Sequence, residues 1–252
     1  MDELGRIEKR ILKKTGQAIH DFSMISEGDR VLLGLSGGKD SWTLLHILET
    51  LRRRAPVKFE LAAITIDPGF EEFDASPLAA YCRDAGFTFY HETPPLAKII
   101  EENKIPGTTY CSFCSRLRRG CLYTFAIEHR YNKIALGHHA DDLIETLLMA
   151  QFFTGVIKSM PPVLSADDGV NTVIRPLCRV FEADISEFAE LSSFPVIECG
   201  CPPHRAGGDD QKRQQIKRLL NELEAGHEGI KANLLASLGR VLPRYLMGEA
   251  AG

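Results

Sequence analysis

The chain has 252 residues, of which 44% are hydrophobic and 25% are charged. Both fractions are typical of globular proteins, so they exclude a disordered or fibrous chain, and the length suits one large domain with appendages. The formal net charge is −4, so no global excess of positive charge indicates a nucleic-acid partner.

Short apolar runs alternate along the chain with segments of helical spacing. The predicted strands are residues 30–35, 58–67, 87–91 and 133–137, with shorter candidates at 171–174 and 194–197. The predicted helices are residues 3–24, 42–54, 76–85, 141–153, 184–191, 209–224 and 230–246. This alternation predicts an α/β fold with a doubly wound, mostly parallel sheet and helices on both faces. Ligands of such sheets bind beyond the carboxyl ends of strands, so we expect the functional loops after Leu35, Asp67 and Leu136.

The same pattern divides the chain into three parts. Residues 1–28 form an amino-terminal helical extension, residues 29–200 a core with a cysteine-rich segment, and residues 201–252 a carboxyl-terminal helical segment. Residues 1–14 are charged throughout and lack the apolar stretch of a signal peptide. No run approaches the roughly 20 apolar residues that span a bilayer. We therefore expect a cytoplasmic protein without membrane contact.

A glycine-rich loop, Ser36–Ser41 (SGGKDS), joins the first strand to the next helix. Its glycines let backbone N–H groups approach a phosphate, and the helix N-terminus adds unpaired donors and a positive dipole end. Lys39 adds a positive charge. The Walker A spacing is not met, because only three residues separate Gly34 from Gly38, and the dinucleotide pattern G-x-G-x-x-G is absent. The strand–loop–helix context favours a phosphate-binding loop over a turn that merely caps the helix.

Seven cysteines cannot all pair within one chain, and a chain of this length needs no disulfide framework. We therefore expect a reducing compartment, in which some cysteines serve a metal, a cluster or redox chemistry. The densest group lies in residues 110–121 (YCSFCSRLRRGC). If this segment is helical, Cys111 and Cys114 share a face and can bind one metal ion or cluster. Cys121 then lies about 10 Å further along the helix axis, too far to join the same centre.

A third ligand must come from elsewhere in the chain, and the candidates are Cys199 and Cys201. The other two cysteines, Cys82 and Cys178, are interpreted as small buried hydrophobic residues. The C-x-x-C pattern fits a redox pair, a zinc site with four cysteines, or a [4Fe–4S] cluster whose three cysteines leave one iron open to sulfur. All three alternatives are compatible with the residues alone.

The segment Gly137–Asp142 (GHHADD) follows the fourth strand at the predicted ligand edge. Its paired carboxylates, Asp141 and Asp142, can hold Mg²⁺ against bound phosphates, as can Asp40. A histidine of this segment can bond to a phosphate. One of the two aspartates also suits the role of helix N-cap. Asp67, at the end of the second strand, either borders the phosphate site or stabilises a turn.

Basic residues are clustered locally in spite of the negative net charge. Arg116, Arg118 and Arg119 follow the C-x-x-C cysteines, and two other clusters lie at residues 52–54 and 212–218. Backbone phosphates of RNA favour such patches, although a solvated helix face is the alternative for each. Beside the cysteines, contact with a substrate or a phosphate is favoured.

Five segments together resemble the tRNA 2-thiocytidine synthetase family of the PP-loop (N-type) ATP pyrophosphatase superfamily. They are SGGKDS (36–41), CSFCSRLRRG (111–120), KIALGHHADD (133–142), MPP (160–162) and VIRPL (173–177). The resemblance extends over approximately residues 20–223 and implies an adenine nucleotide alpha-hydrolase-like fold. It implies that ATP adenylates O2 of an anticodon-loop cytidine (position 32), which sulfur then replaces. It also implies an oxygen-sensitive [4Fe–4S] cluster on the C-x-x-C cysteines and one downstream cysteine.

Carried onto this chain, the resemblance and the motifs give a set of candidate site residues. The ATP site comprises Leu35, Ser36, Gly37, Gly38, Lys39, Asp40, Ser41, Asp67, Gly137, His138 and Asp142. The catalytic residues are Lys39, Asp40, Cys111 and Cys114. The cluster ligands are Cys111, Cys114 and Cys201, with Cys199 as the alternative. The Mg²⁺ ligands are Asp40, Asp141 and Asp142. The tRNA contacts are Arg116, Arg118 and Arg119.

The downstream cysteines depart from the family pattern, which usually has a second C-x-x-C. This chain has Cys199-Gly-Cys201 followed by proline, so the order of the two favours Cys201 while Cys199 stays a candidate. The resemblance implies tRNA and a sulfur donor such as a cysteine desulfurase as partners, and suggests a homodimer. The alternatives are a 2-thiouridine synthetase or lysidine-type ligase with a structural zinc site, or a nucleotide- or redox-sensing module without enzymatic activity.

Overall fold

The computed structural model describes residues 2–102, 110–166, 169–197 and 208–246. The strands are β1 (Arg30–Gly34), β2 (Glu60–Ile66), β3 (Phe89–Glu92), β4 (Lys133–Ala135), β5 (Val163–Ser165) and β6 (Thr172–Ile174). The helices are α1 (Glu3–Asp21), α2 (Lys39–Arg54), α3 (Ser76–Asp84), α4 (Leu96–Glu102), α5 (Tyr110–Glu128), α6 (Ala140–Thr154), α7 (Glu182–Ser192), α8 (Gly208–Gly226) and α9 (Ile230–Ser237). A short 3₁₀ helix, Pro243–Tyr245, follows α9.

The strands of these residues form one sheet in the order β3-β2-β1-β4-β6-β5. Neighbouring strands run parallel except β5, which pairs antiparallel with β6 at one edge. The register places Leu33 of β1 beside Ala63 of β2 and Ala135 of β4. The central strands are almost wholly apolar because helices cover both faces of a parallel sheet. The predicted doubly wound, mostly parallel α/β sheet is thus confirmed.

Alternate strand residues face different layers of helices. Leu32, Ile64 and Ile134 share an apolar cluster with residues of α4 and α5, among them Phe125. On the sheet, α2 packs against β1 and β2, and it also packs against α1 and α7. The amino-terminal helix therefore reaches the core through α2. None of the helices within the described ranges has the length and apolar character required to cross a bilayer.

The chain separates into two compact units. The first comprises residues 1–140 and 161–210 and holds the sheet, and the second comprises residues 141–160 and 211–252. The second unit has an apolar core in which α6 meets α8, formed by Ile144, Leu148, Ile216 and Leu220. The division of the chain at residues 28 and 200 remains a prediction.

Two predicted elements are wrong. Residues 194–197 are irregular and do not form a strand, because Pro195 has no N–H for a ladder and the N–H of Ile197 donates to the carbonyl of Gly37 at 3.1 Å. The predicted helix 230–246 ends at Ser237, since glycine and proline follow it. The sequence patterns also missed α4 and β5, which are short, and they considered α5 as a helix only conditionally and only over residues 110–121. The other predicted elements agree with the structure to within a few residues.

Candidate active site

The glycine-rich loop leaves β1 and becomes the first turn of α2, which begins at Lys39. Gly37 has a φ of +84°, in the left-handed region that favours glycine, and a Cβ at this position would overlap the side chain of Ile197. Gly38 is the N-cap of α2 and has no side chain to bond the first backbone N–H groups. These donors therefore suit an anion, as the sequence predicted.

Hydroxyl groups hold the loop in a defined conformation. The Oγ of Ser41 donates to the carbonyl of Gly38 at 2.9 Å and accepts the N–H of Ser36 at 3.2 Å. At the entrance to the loop, the buried hydroxyl of Thr65 donates to the carbonyl of Leu35 at 2.7 Å. The loop is thus preorganised by its own serines and by β2.

Lys39 is held between two carboxylates. Its Nζ lies 2.9 Å from Oδ1 of Asp40 and 3.1 Å from Oε1 of Glu182, the first residue of α7. Burial lowers the pKa of the Lys39 ammonium, but the two carboxylates outweigh burial, so the pKa is raised overall. Nε2 of the buried His139 lies 3.8 Å from the same Asp40 oxygen. The carboxylate of Asp40 is therefore positioned between a lysine and a histidine.

Gly137 allows the loop after β4 to approach α2 closely. A Cβ on Gly137 would lie 3.1 Å from the carbonyl carbon of Asp40 and 3.2 Å from the N of Ser41. Both distances are shorter than ordinary side-chain contacts, so glycine permits the approach. The structure thus brings two of the sequence motifs, SGGKDS and the start of GHHADD, into contact at the carboxyl edge of the sheet.

Asp67 follows β2 and stabilises a turn. Its Oδ1 accepts the N–H of Gly69 at 2.7 Å, and its Oδ2 lies 3.4 Å from Nε2 of His91. These contacts match the turn role considered for it from the sequence. Its contact with a nucleotide stays a prediction.

Asp141 and Asp142 belong to the first turn of α6, and in the second unit each faces a cation. Nζ of Lys231 lies 2.8 Å from Oδ1 of Asp141, whose side chain is only 4% exposed. A guanidinium nitrogen of Arg213 lies 3.4 Å from Oδ1 of Asp142. Both cations come from the carboxyl-terminal helices, a pairing with no sequence signal because it spans 71 and 90 residues.

Glu145 lies one turn after this pair and is buried. Burial, followed by the nearby charge of Asp142, raises the pKa of its carboxyl, whereas Arg213 and Lys217 act in the opposite direction; the net result is a pKa of about 7. The start of α6 is therefore an acidic cluster whose charge is balanced from α8 and α9.

Both cysteines of the C-x-x-C pattern lie on α5, as the predicted shared face requires. Three residues of helix separate their Cα atoms by about 4.5 Å along the axis. Cys114 is 4% exposed, belongs to the apolar cluster with α4, and is not in a disulfide. The side chain of Cys111, and both Cys199 and Cys201, lie outside the described residues. A buried thiol in apolar surroundings fits a cluster ligand protected from solvent.

The comparison with known proteins identifies the chain. Residues 7–198 match the family ATP_bind_3, described as a PP-loop domain. A tRNA-cytidine(32) 2-sulfurtransferase of Geobacter sulfurreducens is 51% identical over 95% of this chain and 92% of its own length. One of the same name from Syntrophotalea carbinolica is 48% identical over 96% of this chain and 93% of its own length. The chain belongs to this PP-loop sulfurtransferase family.

The fold of the family member also matches a solved structure. The U34-tRNA thiolase NcsA from Methanococcus maripaludis, described with its [4Fe-4S] cluster, superposes with a TM-score of 0.73 at 22% identity. The match covers 97% of this chain and 82% of that one. The two proteins share the fold. The family resemblance recognised from the sequence motifs is confirmed.

The basic clusters of the chain differ in their surroundings. Arg116 and Arg119 are exposed on α5, and Arg118 is half-buried between them. In contrast, Arg52 and Arg53 each lie 2.7 Å from Glu49 within α2, which matches a solvated helix face. Only the α5 cluster lies on the same helix as the C-x-x-C cysteines.

Proposed function

We propose that this family member is an ATP- and [4Fe–4S]-dependent tRNA thiolase that converts cytidine 32 into 2-thiocytidine. What supports this function most directly is the preorganised Ser36–Ser41 loop at the start of α2, in a chain about half identical to sulfurtransferases of that specificity over almost its whole length. The C-x-x-C helix adds the ligand chemistry that a cluster needs.

ATP turns the cytidine oxygen into a leaving group. The O2 atom attacks the α-phosphorus, and the bond from that phosphorus to the bridging oxygen breaks, so that pyrophosphate leaves. Sulfide-level sulfur (HS⁻) then attacks C2, the bond between C2 and O2 breaks with release of AMP, and the sulfur loses its proton to give the 2-thio group. The loop N–H groups and the Lys39 ammonium are suited to bind the phosphates and the charge of the departing pyrophosphate. A bound cluster supplies an open coordination position for the sulfur.

Asp40 is the Mg²⁺ ligand that we favour. Mg²⁺ beside a nucleotide uses one or two carboxylates and keeps several waters. Asp40 lies in the first turn of α2, next to the glycine-rich loop. One third of its side chain is exposed, so the carboxylate is accessible from solvent. Asp141 and Asp142 remain further candidates, although a metal ion there must compete with Lys231 and Arg213.

We infer the remaining site assignments from the motifs. The cluster ligands are Cys111, Cys114 and one downstream cysteine, for which we prefer Cys201 to Cys199. Leu35, Asp67, Gly137 and His138 border the nucleotide, and Arg116, Arg118 and Arg119 contact tRNA. A cysteine desulfurase supplies the sulfur to a cytoplasmic enzyme that forms a homodimer, with the core domain at residues 29–200.

Nucleoside mass spectrometry of tRNA tests the reaction. A strain without the gene is complemented with wild type or with single cysteine-to-serine variants. We expect no 2-thiocytidine with Cys114→Ser or Cys201→Ser, and normal levels with the control Cys121→Ser, whose position excludes it from the centre. Normal 2-thiocytidine without the gene would contradict the function, and full activity of Cys201→Ser with loss in Cys199→Ser would move the third ligand.

Anaerobic purification with iron, sulfide and zinc analysis tests the cofactor. About four iron and four sulfide per chain are expected. Stoichiometric zinc without iron would instead indicate the zinc-stabilised alternative, a 2-thiouridine synthetase or lysidine-type ligase.

A further inference from the structure

Arg175 is a buried cation at the carboxyl edge of the sheet. It directly follows β6 and is 6% exposed. One terminal nitrogen donates to the carbonyl of Pro161 at 2.6 Å, while its buried Nε has no acceptor. No carboxylate pairs with this guanidinium within the part of the chain that the structure describes. An arginine stays protonated in proteins, so a positive charge is buried here that no described carboxylate compensates.

Another arginine, Arg119, acts electrostatically on Arg175. Burial lowers the pKa of the Arg175 guanidinium; Tyr123 acts in the opposite direction, and the positive charge of Arg119 lowers the pKa further. Arg119 is exposed on α5, the helix that also carries Cys114. Burial of an unpaired charge is costly, and a second like charge adds repulsion. Two arginines that repel each other, with no carboxylate at Arg175 among the described residues, are the arrangement that an external anion would stabilise.

The shape of the guanidinium selects the class of anion. Its planar fork of N–H groups matches a phosphate with two parallel hydrogen bonds, and arginine is favoured over lysine for this purpose. We propose that Arg175 and Arg119 together bind one phosphate group, and that this group belongs to the tRNA strand beside the nucleotide to be thiolated. This inference rests on the proposed function, since it takes tRNA as the substrate.

The sheet order separates this position from the ATP phosphates. The glycine-rich loop follows β1, whereas Arg175 follows β6, and β4 lies between them. Two strand spacings amount to about 10 Å across the sheet. ATP phosphates already have the N–H groups of Ser36–Ser41, so the second position is available to a different phosphate. With Arg119 on the C-x-x-C helix, an RNA phosphate held there would place its nucleotide beside that helix.

The salt dependence of tRNA binding tests the two-arginine site. Affinity for unmodified tRNA is measured against salt concentration for wild type, Arg175→Met, Arg119→Met and the double variant. Loss of one phosphate contact flattens the slope of log K against log salt by about 0.7 on a single strand. We expect each single variant, and equally the double, to lose about 0.7 because one phosphate is shared. The matched control Arg83→Met, an exposed arginine of α3, should keep the wild-type slope.

Several outcomes would overturn the two-arginine site. They are unchanged slopes in both single variants, or a double variant whose slope falls by about 1.4, which indicates two separate phosphates. Titration with pyrophosphate provides another arm: weakened pyrophosphate binding with unchanged tRNA slopes would assign the anion to the nucleotide. If Arg175→Met does not fold, the exposed Arg119→Met and the charge-retaining Arg175→Lys still decide the question. We expect Arg175→Lys to bind tRNA more weakly with a slope near wild type, since it keeps the charge but loses the fork.

A parallel thiolation assay separates this inference from the proposed function. Binding is measured on unmodified tRNA and needs no turnover. If the arginine variants show flattened slopes but the wild-type protein does not thiolate tRNA, the phosphate site is supported and the proposed function is contradicted. If the variants keep the wild-type slope and the wild-type protein thiolates tRNA, only the phosphate site is contradicted.

Discussion

Single residues determine whether the glycine-rich loop can take its conformation. Gly37 satisfies two separate requirements, a left-handed backbone and space for Ile197, whereas Gly28 has a similar φ of +80° with nothing near its missing Cβ. Replacing Gly28 by alanine would therefore cause backbone strain alone, whereas the same replacement at Gly37 would cause backbone strain and steric overlap.

We expect Gly37→Ala to abolish ATP binding and to lower the free energy of unfolding by more than Gly28→Ala. A left-handed alanine costs about 1–2 kcal/mol at either position. At Gly37 the Cβ must also displace Ile197, which lies on the segment bonded to the loop. Urea unfolding and ATP titration of both variants measure the difference. Equal destabilisation with intact ATP binding would show that the contact with Ile197 is not needed.

The ion pair between Lys231 and Asp141 makes a second prediction at this scale. Lys231→Met leaves the buried Asp141 carboxylate without its lysine, so we expect a loss of about 2 kcal/mol in unfolding free energy. Lys98→Met is the control, because Lys98 forms an exposed pair with Glu102 at 3.9 Å, and such pairs contribute little. Adding Asp141→Asn to Lys231→Met should recover part of the loss. A cost no larger than that of Lys98→Met would contradict a stabilising role.

His46 links α2 to the irregular segment 194–197. It packs among the rings of Trp42, Tyr81, Phe87 and Phe194, and its Nε2 lies 3.1 Å from the hydroxyl of Tyr81. Burial lowers the pKa of this imidazole from 6.5 to about 4, although Glu49 acts in the opposite direction. The neutral form is therefore the one that fits the aromatic cluster.

Stability should consequently fall in acid through this one residue. The unfolded chain takes up a proton below the ordinary histidine pKa of about 6.5, while folded His46 stays neutral down to about 4. The contribution of His46 is complete above pH 6.5 and is lost as the pH falls toward 4, to the order of 2–3 kcal/mol. Urea unfolding between pH 4 and 7.5 measures it. His46→Gln should flatten the profile in this window, whereas His20→Gln, a substitution on the surface of α1, should leave it unchanged.

At the scale of elements, the sequence predicted those whose signals are local. Strands β1 to β4, the loop and the start of α6 followed from apolar runs and glycine positions. Segment 194–197 did not, because its apolar residues pack against Trp42 and the loop without a ladder partner. Glu182, which pairs with Lys39 across 143 residues, gave no signal in the sequence either. Pairings of this kind depend on the order of the strands, which spacing alone does not determine.

The contact between α6 and α8 makes a prediction for a whole element. Leu220 is 1% exposed in the core of the second unit, so Leu220→Ala should cost about 2–5 kcal/mol. Leu223 on the same helix is 39% exposed, and its change to alanine should cost less than about 0.5 kcal/mol. Hydrogen exchange of α6 amides measures the effect locally. Similar exchange in both variants would mean that α8 does not stabilise α6.

At the scale of the whole molecule, the net charge does not indicate where the charged residues that bind a substrate lie. A net charge of −4 gives no sign of an RNA partner. Yet Arg116 and Arg119 are exposed on the C-x-x-C helix, and Arg175 is buried with no carboxylate partner among the residues described. Electrostatic recognition depends on charges near the binding surface, because those further than about 8 Å are largely screened at physiological salt. The local distribution of charge is therefore the better guide to the substrate.

The cysteines whose side chains the structure describes give the last prediction, since burial divides them by reactivity. Burial raises the pKa of the Cys82 thiol to about 12 and that of Cys178 to about 11, whereas Cys121 is half-buried. The thiolate is the reactive form, so native Cys82 and Cys178 should alkylate about 1000-fold and 100-fold more slowly than in the unfolded chain. Cys121 should react faster than either. Pulse alkylation with mass spectrometry, with the urea-unfolded chain as reference, measures each rate. Native labelling of Cys82 as fast as that of Cys121 would contradict a structural role for that thiol.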